Sequence, residues 1–342
     1  MKLGIVGTGQ IVKEFLPYLT DYLTTETSIT CHALCGTLRS KETINALCNQ
    51  YDIKEAYSDY EQFLRSQVDI VYIAIPNHLH FEFCIKAMKA NKHVIVEKPM
   101  TSTYEEASLL ASYAKEHKLF FYEAISTRYL PNYKKIKELL PLLGEIKMIE
   151  CNFSQYSSRY DAFLAGSVAP VFDPRKSGGT LIDLNLYNLH YIIGLLGEPN
   201  AYVYQPNLDR GIDTSGVLTM DYGHCKAVSI AAKDCFAPNH YVISGTNGYI
   251  TQDTPANSCG AVTYKANKKE ALTYDENHCK HRMLPEFKTF FHEILTSDYT
   301  SCYNALEESL LVNKVITTAR REAGIYFPAD EKILSLTTIC PL

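Results

Sequence analysis

The chain has 342 residues, 46% of them hydrophobic and 21% charged, with 25 tyrosines and no tryptophan. At about 150 residues per domain this length calls for two domains with cores of their own, which excludes a small scaffold held together by disulfides or a structural metal. The formal net charge of -5, from 38 acidic and 33 basic residues, offers no basic field to a nucleic-acid backbone.

No window approaches the roughly 18 apolar residues of a membrane span. The opening MKLGIVGTGQ passes from one lysine into a strand-like run and glycines, without the apolar core of a secretion signal. A soluble, cytoplasmic protein is expected, with neither membrane nor nucleic acid as a partner. The 11 cysteines (Cys31, Cys35, Cys48, Cys84, Cys151, Cys225, Cys235, Cys259, Cys279, Cys302 and Cys340) are scattered, odd in number and free of any C-x-x-C pair. They are expected to be reduced thiols, several packed as small hydrophobes.

The hydrophobic pattern predicts a strand over 2–6, a glycine turn over 7–9, and a helix over 11–23 with apolar positions at Ile11, Phe15, Leu16 and Leu19. The order then repeats: strand 29–35, helix 40–51, and, after 60–66, the nearly unbroken apolar run 68–75. Helix 80–90, strand 93–97, helix 104–117 and strand 119–123 follow. Continuous apolar strands alternating with helices fit a doubly wound parallel sheet with right-handed crossovers, so a Rossmann domain is expected over 1–123.

After a helix over 129–140 the pattern changes. Residues 147–156 alternate like a half-buried antiparallel strand, and further strands are predicted over 201–204, 216–222, 226–232 and 240–244. The turns Asp221-Tyr222-Gly223-His224 and Gly245-Thr246-Asn247-Gly248 suit hairpins. Helices are predicted over 179–196, 285–295 and 305–322. Residues 124–342 therefore read as an α+β domain with a large open, mostly antiparallel sheet. Its exposed face is expected to be covered in a homodimer or homotetramer, since a large apolar sheet face is rarely left in water.

Gly7-Thr8-Gly9-Gln10-Ile11-Val12 sits at the first strand-to-helix turn, with Val12 in place of a third glycine. Gly7 permits the tight turn; Gly9, Gln10 and Ile11 open the helix whose amides can approach a pyrophosphate. An acid at the end of the second strand would bind an adenosine ribose, but Cys35-Gly36-Thr37-Leu38-Arg39-Ser40-Lys41 has none before Glu42. Thr37, Arg39 and Ser40 suit a 2′-phosphate instead, which favours NADP(H) over NAD(H). The plainer alternative is that Arg39 and Lys41 are solvated charges at a helix start.

Ala74-Ile75-Pro76-Asn77-His78-Leu79-His80 and Val96-Glu97-Lys98-Pro99 each follow a parallel strand, where open α/β sheets bind ligands. With Glu123-Ala124, Arg128, Pro131, Gly144-Glu145-Ile146, Gly178-Gly179-Thr180, Asp183-x-x-x-Tyr187 and Gly245-Thr246-Asn247-Gly248, they resemble the Gfo/Idh/MocA oxidoreductases over nearly the whole chain. The tyrosine version of the helix motif resembles the glucose-fructose oxidoreductase and dihydrodiol dehydrogenase branch. The resemblance implies a cofactor site that includes Pro76, Asn77, His80, Glu97 and Lys98, with Lys98 beside both nicotinamide and substrate. It also implies that Asp183 and Tyr187 face the substrate, Tyr187 as proton donor.

Chemistry agrees with those roles. Spacing of four puts Asp183 and Tyr187 on one face of a helix. Hydride transfer to a carbonyl leaves an alkoxide that must be protonated and stabilised, and a lysine ammonium beside a phenol favours the phenolate that forms. Tyr187 is thus expected to be the general acid/base, Lys98 its electrostatic partner, and Asp183 an orienter of substrate or lysine. The expected plain alternative for Tyr187 is packing, and for His190, one turn on, a packed histidine. His80 is alternatively a helix-start partner. Arg128 and Arg175 are candidates to hold substrate oxygens, against ordinary ion pairs, and Tyr156 and Arg159 could line the pocket. Glu97 with His78 or His80 forms no clustered ligand pattern, so no metal is expected.

The leading expectation is an NAD(P)-dependent dehydrogenase or reductase acting on a secondary alcohol or carbonyl of a sugar, cyclitol or related polyol. A cofactor-binding redox sensor without turnover is one alternative, and a glycosidase that oxidises its substrate transiently is another.

Overall fold

The computed structural model describes residues 1–331, so Cys340 lies outside the described residues. The chain divides into two compact units. The first comprises 1–101, 105–124 and 287–307, and the second comprises 102–104, 125–286 and the chain from 308 on.

In the first unit six strands form one sheet in the order β3-β2-β1-β4-β5-β6. They are β1 (Lys2–Val6), β2 (Thr30–Cys35), β3 (Glu55–Tyr57), β4 (Ile70–Ile73), β5 (His93–Glu97) and β6 (Phe121–Ala124). Every pairing is parallel. Helices α1 (Gln10–Glu26), α2 (Lys41–Gln50), α3 (Tyr60–Leu64), α4 (His80–Lys89) and α5 (Tyr104–Glu116) connect or flank the strands. Leu3, Ile5, Val71, Ile73, Val94 and Ile95 are fully buried, as continuous apolar strands between two helical layers must be. The strand order reverses between β1 and β4, which creates the crevice at the carboxyl ends where such sheets bind ligands.

The chain also returns to this unit near its end. Residues 287–307 bring Phe287 against Phe15 at 4.8 Å and Tyr72 at 5.0 Å between ring centroids, and Phe290 against Tyr122 at 4.3 Å. The Tyr122 hydroxyl donates to Glu293 at 2.9 Å in the same buried layer. The sequence pattern assigned this stretch to the second domain; its aromatic spacing does not reveal which sheet it covers.

The second unit carries an eight-stranded sheet in the order β14-β13-β12-β11-β7-β10-β9-β8. The strands are β7 (Ile146–Ser154), β8 (Ala201–Asp209), β9 (Ile212–Asp221), β10 (Lys226–Ala232), β11 (His240–Gly245), β12 (Gly248–Gln252), β13 (Val262–Ala266) and β14 (Leu272–Tyr274). Only β7 and β10 pair in parallel; the other neighbours are antiparallel. The fold class is therefore as the sequence implies, a parallel Rossmann sheet followed by a larger, mostly antiparallel one. The hairpins at 221–226 and 245–248 form as expected. Helices α6 (Pro131–Leu139), α7 (Tyr160–Leu164) and α8 (Leu186–Leu196) belong to this unit, while the unit division falls within α9 (Leu284–Thr296) and α10 (Tyr299–Glu322).

Ile149, Cys151, Leu218, Tyr241, Ile243 and Ile250 point from the sheet into a core shared with Leu186, Leu189, Tyr191, Ile192 and Ile193 of α8. The helix predicted over 179–196 is not uniform. Residues Leu181–Asn185 form a π-helical turn, and α8 begins only at Leu186. Its start is held from β9. Asp213 accepts the backbone N–H of Leu181 at 2.6 Å, and its carbonyl accepts the Thr180 hydroxyl at 3.1 Å. Gly179 precedes this turn with φ of 116°, and a Cβ there would meet the Asp213 carboxylate at 2.3 Å, so only glycine fits.

Candidate functional site

The first unit gathers one group of expected site residues at the carboxyl ends of four neighbouring strands, β2, β1, β4 and β5. Gly7 has φ of 122°, and a Cβ on it would lie 2.0 Å from the Ala74 carbonyl, so the turn after β1 can sit against the end of β4 only with glycine. Gly9 is the N-cap of α1. No side chain caps this end, its first turn holds no acidic residue, and the space a Cβ would fill is open. Gln10 is exposed and Ile11 half-buried, while Val12 is buried at the place of the missing glycine. Uncapped amides, no opposing carboxylate and open space fit a dinucleotide pyrophosphate.

After β2, Thr37 and Ser40 bond to each other: the Thr37 N–H donates to Ser40 Oγ at 2.9 Å, and Ser40 Oγ donates to the Thr37 carbonyl at 3.0 Å. This closes a single turn on which Arg39 is exposed. Beyond β4, Pro76 is exposed and Asn77 half-buried.

His80 is fully buried, and its two ring nitrogens lie 2.8 Å from the Ile75 carbonyl and 2.8 Å from the Pro99 carbonyl. It bridges the loops after β4 and β5, the loops that carry Asn77 and Lys98. Burial pulls its pKa below the usual histidine value, against the two carbonyls and Glu123. Glu97 accepts the Tyr72 hydroxyl at 2.6 Å, which turns its carboxylate toward the sheet, and Lys98 is half-buried beside it.

The second unit holds the other group. Tyr187, in the first turn of α8, is 5% exposed, with Phe153 of β7 beside its ring at 6.2 Å between centroids. Asp183 lies in the π turn, so it is not related to Tyr187 by the α-helical rotation expected from their spacing; the wider turn holds one more residue. Its carboxylate is 23% exposed and meets Lys233 Nζ at 2.6 Å. Lys233, directly after β10, has a side chain only 4% exposed. Asp213 completes the arrangement with the Tyr204 hydroxyl at 2.7 Å, and burial pushes its carboxyl pKa up. Lys233 and Asp213 were not singled out by sequence. The only signal was a lysine closing the apolar strand at Ala231-Ala232, and nothing local identifies its partner.

Other expected substrate contacts have different surroundings. Arg128 has a side chain 7% exposed, ion-paired with Glu308 at 2.8 Å and 3.5 Å from His190 Nδ1. This is a buried ion pair within the second unit. His190 is fully buried, as its packed alternative requires. Arg175 makes a two-pronged contact with Asp173, both bonds at 3.0 Å, and chiefly this hydrogen bonding holds the Asp173 carboxyl below its usual range. The Tyr156 hydroxyl donates to Asp161 at 2.6 Å, and Arg159 is exposed. Among the described residues, no group of three or more His, Cys, Asp or Glu is placed to hold a metal ion, and no helix is long and apolar enough to cross a membrane.

Comparison with known proteins gives a consistent assignment. Residues 1–124 match "Oxidoreductase family, NAD-binding Rossmann fold", and residues 133–251 match "GFO/IDH/MocA C-terminal domain". A scyllo-inositol 2-dehydrogenase (NADP(+)) of Bacillus subtilis is 31% identical over 340 residues, covering 97% of this chain and 99% of its own. A D-xylose 1-dehydrogenase (NADP(+)) of Hypocrea jecorina is 30% identical, covering 74% of this chain and 66% of its own. Among solved structures, a 3-ketoreductase from Actinomadura kijaniata in complex with NADP and TDP-benzene superposes with a TM-score of 0.80 at 19% identity, over 96% of this chain and 98% of its own. Levoglucosan dehydrogenase in complex with NADH and levoglucosan gives 0.80 at 17% identity, over 94% and 98%. The chain belongs to the Gfo/Idh/MocA family of NAD(P)-dependent oxidoreductases.

Proposed function

We propose that this enzyme transfers a hydride between C4 of the nicotinamide of NADP(H) and a secondary alcohol or carbonyl carbon of a sugar, cyclitol or related polyol. The observation that carries the reading is the pair on the π turn and α8: a partly exposed carboxylate, Asp183, held by Lys233, and four residues on a nearly enclosed phenol, Tyr187. A carboxylate accepts hydrogen bonds from substrate hydroxyls, and a phenol is a proton donor for an oxygen that gains charge.

The nicotinamide, when bound, supplies or accepts the hydride with its two electrons. In the reducing direction the Tyr187 hydroxyl gives its proton to the oxygen of the former carbonyl; in oxidation the Tyr187 phenolate takes the proton of the substrate hydroxyl. The Lys98 ammonium stabilises negative charge on the substrate oxygen and on the phenolate. Asp183 accepts a hydroxyl of the substrate and fixes its orientation.

The preference for NADP(H) rests on the acid-free turn after β2 with exposed Arg39 beside Thr37 and Ser40, and the names of two relatives specify NADP(+). The domain assignment is part of the same reading: residues 1–123, on which 287–307 pack, bind the cofactor, and the remainder of 124–342 binds substrate and drives assembly. For assembly the supporting feature is the outer sheet face, where Val203 is 56%, Met148 44% and Tyr249 39% exposed; Val203 shares a row with Val228 and Val242 through Thr219 and Glu150, while Met148 and Tyr249 lie in the row of Lys226 and Ser244. A cytoplasmic homodimer or homotetramer is proposed, to be checked by sedimentation equilibrium.

The test is a panel of polyols and keto-sugars, including scyllo-inositol and D-xylose, with each cofactor and read by nicotinamide absorbance. Turnover of polyhydroxylated substrates with NADP(H) ahead of NAD(H) is expected. Tight cofactor binding without turnover of any of them would overturn the proposal.

A further inference from the structure

Lys233 follows a strand whose inward residues are Ala227, Ser229 and Ala231, and its backbone is fixed on both sides: its N–H donates to the Thr214 carbonyl at 2.8 Å and its carbonyl accepts the Ser157 N–H at 2.9 Å. The side chain is therefore aimed by the sheet. Its ammonium donates to Asp183 Oδ2 at 2.6 Å, the Val171 carbonyl at 3.3 Å and the Gly179 carbonyl at 3.4 Å, and it lies 5.4 Å from the centre of the Phe172 ring. An ammonium has three hydrogens, and these three oxygens account for them.

A cation this enclosed is costly to bury without an anion. Two carboxylates lie close. Asp213 is already engaged by the Leu181 N–H and the Tyr204 hydroxyl, and it is 2% exposed. Asp183 makes the direct ion pair, yet keeps 23% of its side chain exposed. One oxygen is thus anchored from the protein interior while part of the carboxylate faces outward. The other two bonds of Lys233 tie this anchor to the segment 171–179 that leads into the π turn.

We propose that Lys233 is a positioning residue for substrate recognition: it keeps Asp183 ionised and fixed by one carboxylate oxygen, so that the exposed side of that carboxylate accepts a hydroxyl of a polyhydroxylated substrate. The inference rests on the proposed role of Asp183 at the substrate. It adds that hydroxyl recognition depends on a buried cation which does not itself touch substrate or cofactor.

The experiment compares Lys233→Gln, Lys233→Arg and Asp183→Asn in the full-length enzyme. Glutamine keeps a polar, hydrogen-bonding side chain one bond shorter and removes the charge, and arginine keeps the charge. The Asp183 carboxyl is followed by carbon NMR against pH, its signal identified by its loss in Asp183→Asn. Lys233 pairs with Asp183, and Asp213 on β9 also interacts with Lys233, so this identification is needed. Kinetics use scyllo-inositol and D-xylose, and NADPH affinity is measured by fluorescence.

In Lys233→Gln the Asp183 titration is expected to move to higher pH, because loss of an opposite charge disfavours the carboxylate. On the better substrate kcat/KM is expected to fall by about ten-fold or more, mostly through KM, with NADPH affinity within about two-fold. Lys233→Arg is expected to retain the wild-type titration and to recover most of the loss. An unmoved titration in Lys233→Gln overturns the inference whatever the turnover. So does unchanged kcat/KM in Lys233→Gln when Asp183→Asn is impaired, or an arginine variant as impaired as the glutamine one. If Asp183→Asn itself turns over normally, the proposed substrate role of Asp183 falls, and the recognition role of Lys233 falls with it. Should the glutamine variant not fold, the arginine variant still decides through its titration and kcat/KM.

Discussion

Asp213 accepts the backbone N–H of Leu181 at 2.6 Å, and a carboxylate on β9 thereby sets where the helical segment bearing Asp183 and Tyr187 begins. Asp213→Ala leaves the Leu181 N–H and the Tyr204 hydroxyl without their acceptor inside the protein. One or two unmatched buried donors cost roughly 2–4 kcal/mol, which a urea melt will read directly. Turnover should fall further than NADPH affinity, because the displaced turn carries the substrate residues. Equal losses in both would contradict this account of the turn.

His80 makes a second test of how the scaffold aims the site. His80→Ala removes the ring that spans the loops after β4 and β5 and empties a fully buried position. A stability loss of about 2 kcal/mol or more is expected from buried hydrogen bonds and cavity together. NADPH affinity is expected to drop as well, since Asn77 and Lys98 lie on those loops. Calorimetric titration checks this; unchanged cofactor affinity in a destabilised but folded variant would count against it.

The pH dependence of stability has a clear contribution from Asp330. Arg320, with a side chain 2% exposed, holds it at 2.6 and 2.8 Å, and the Phe327 N–H adds 2.7 Å. Burial pushes the Asp330 carboxyl up, but the bonds from Arg320, the Phe327 N–H and Arg321 outweigh it and hold it below the usual carboxylate range. A depressed carboxylate stabilises the fold above its unfolded pKa of about 3.9, and this contribution is lost as pH falls through the lower folded value. Asp330→Asn should therefore cost about 3 kcal/mol near neutrality by leaving a buried guanidinium unpaired. The gap between variant and wild type should narrow below about pH 4. Melts at the two pH values decide it; a gap that stays constant contradicts the assignment.

Cofactor choice is tested at Arg39, which is exposed, so its replacement leaves the core intact. Arg39→Ala is expected to weaken NADPH binding by about ten-fold, the value of one charge-assisted bond, and to leave NADH binding unchanged. Parallel loss for both cofactors would remove the 2′-phosphate role.

Much of this architecture was legible because its information is local. Strands such as Ile70–Ile73 and His93–Glu97 are apolar on both faces, and the glycines of the first turn stand at fixed distances from them. Strands β12 to β14 escaped notice because residues such as Thr251, Thr263 and Lys265 interleave polar side chains over short runs. The start of the π turn is held by Asp213, and Asp183 by Lys233, each supplied from on or just beyond a strand far along the chain. The aromatic residues of 287–307 likewise show their helical period but not the sheet they cover.

The measurement that bears most directly on the central claim is steady-state turnover of Tyr187→Phe and Lys98→Met with NADP(H) and the best polyol or keto-sugar substrate. Loss of a positioned proton donor lowers kcat by about 10²–10⁴, and that range is expected for Tyr187→Phe with NADPH affinity preserved. Lys98→Met should also lose most of its turnover, since the ammonium stabilises charge on the substrate oxygen. Near-normal turnover in both variants would contradict the account.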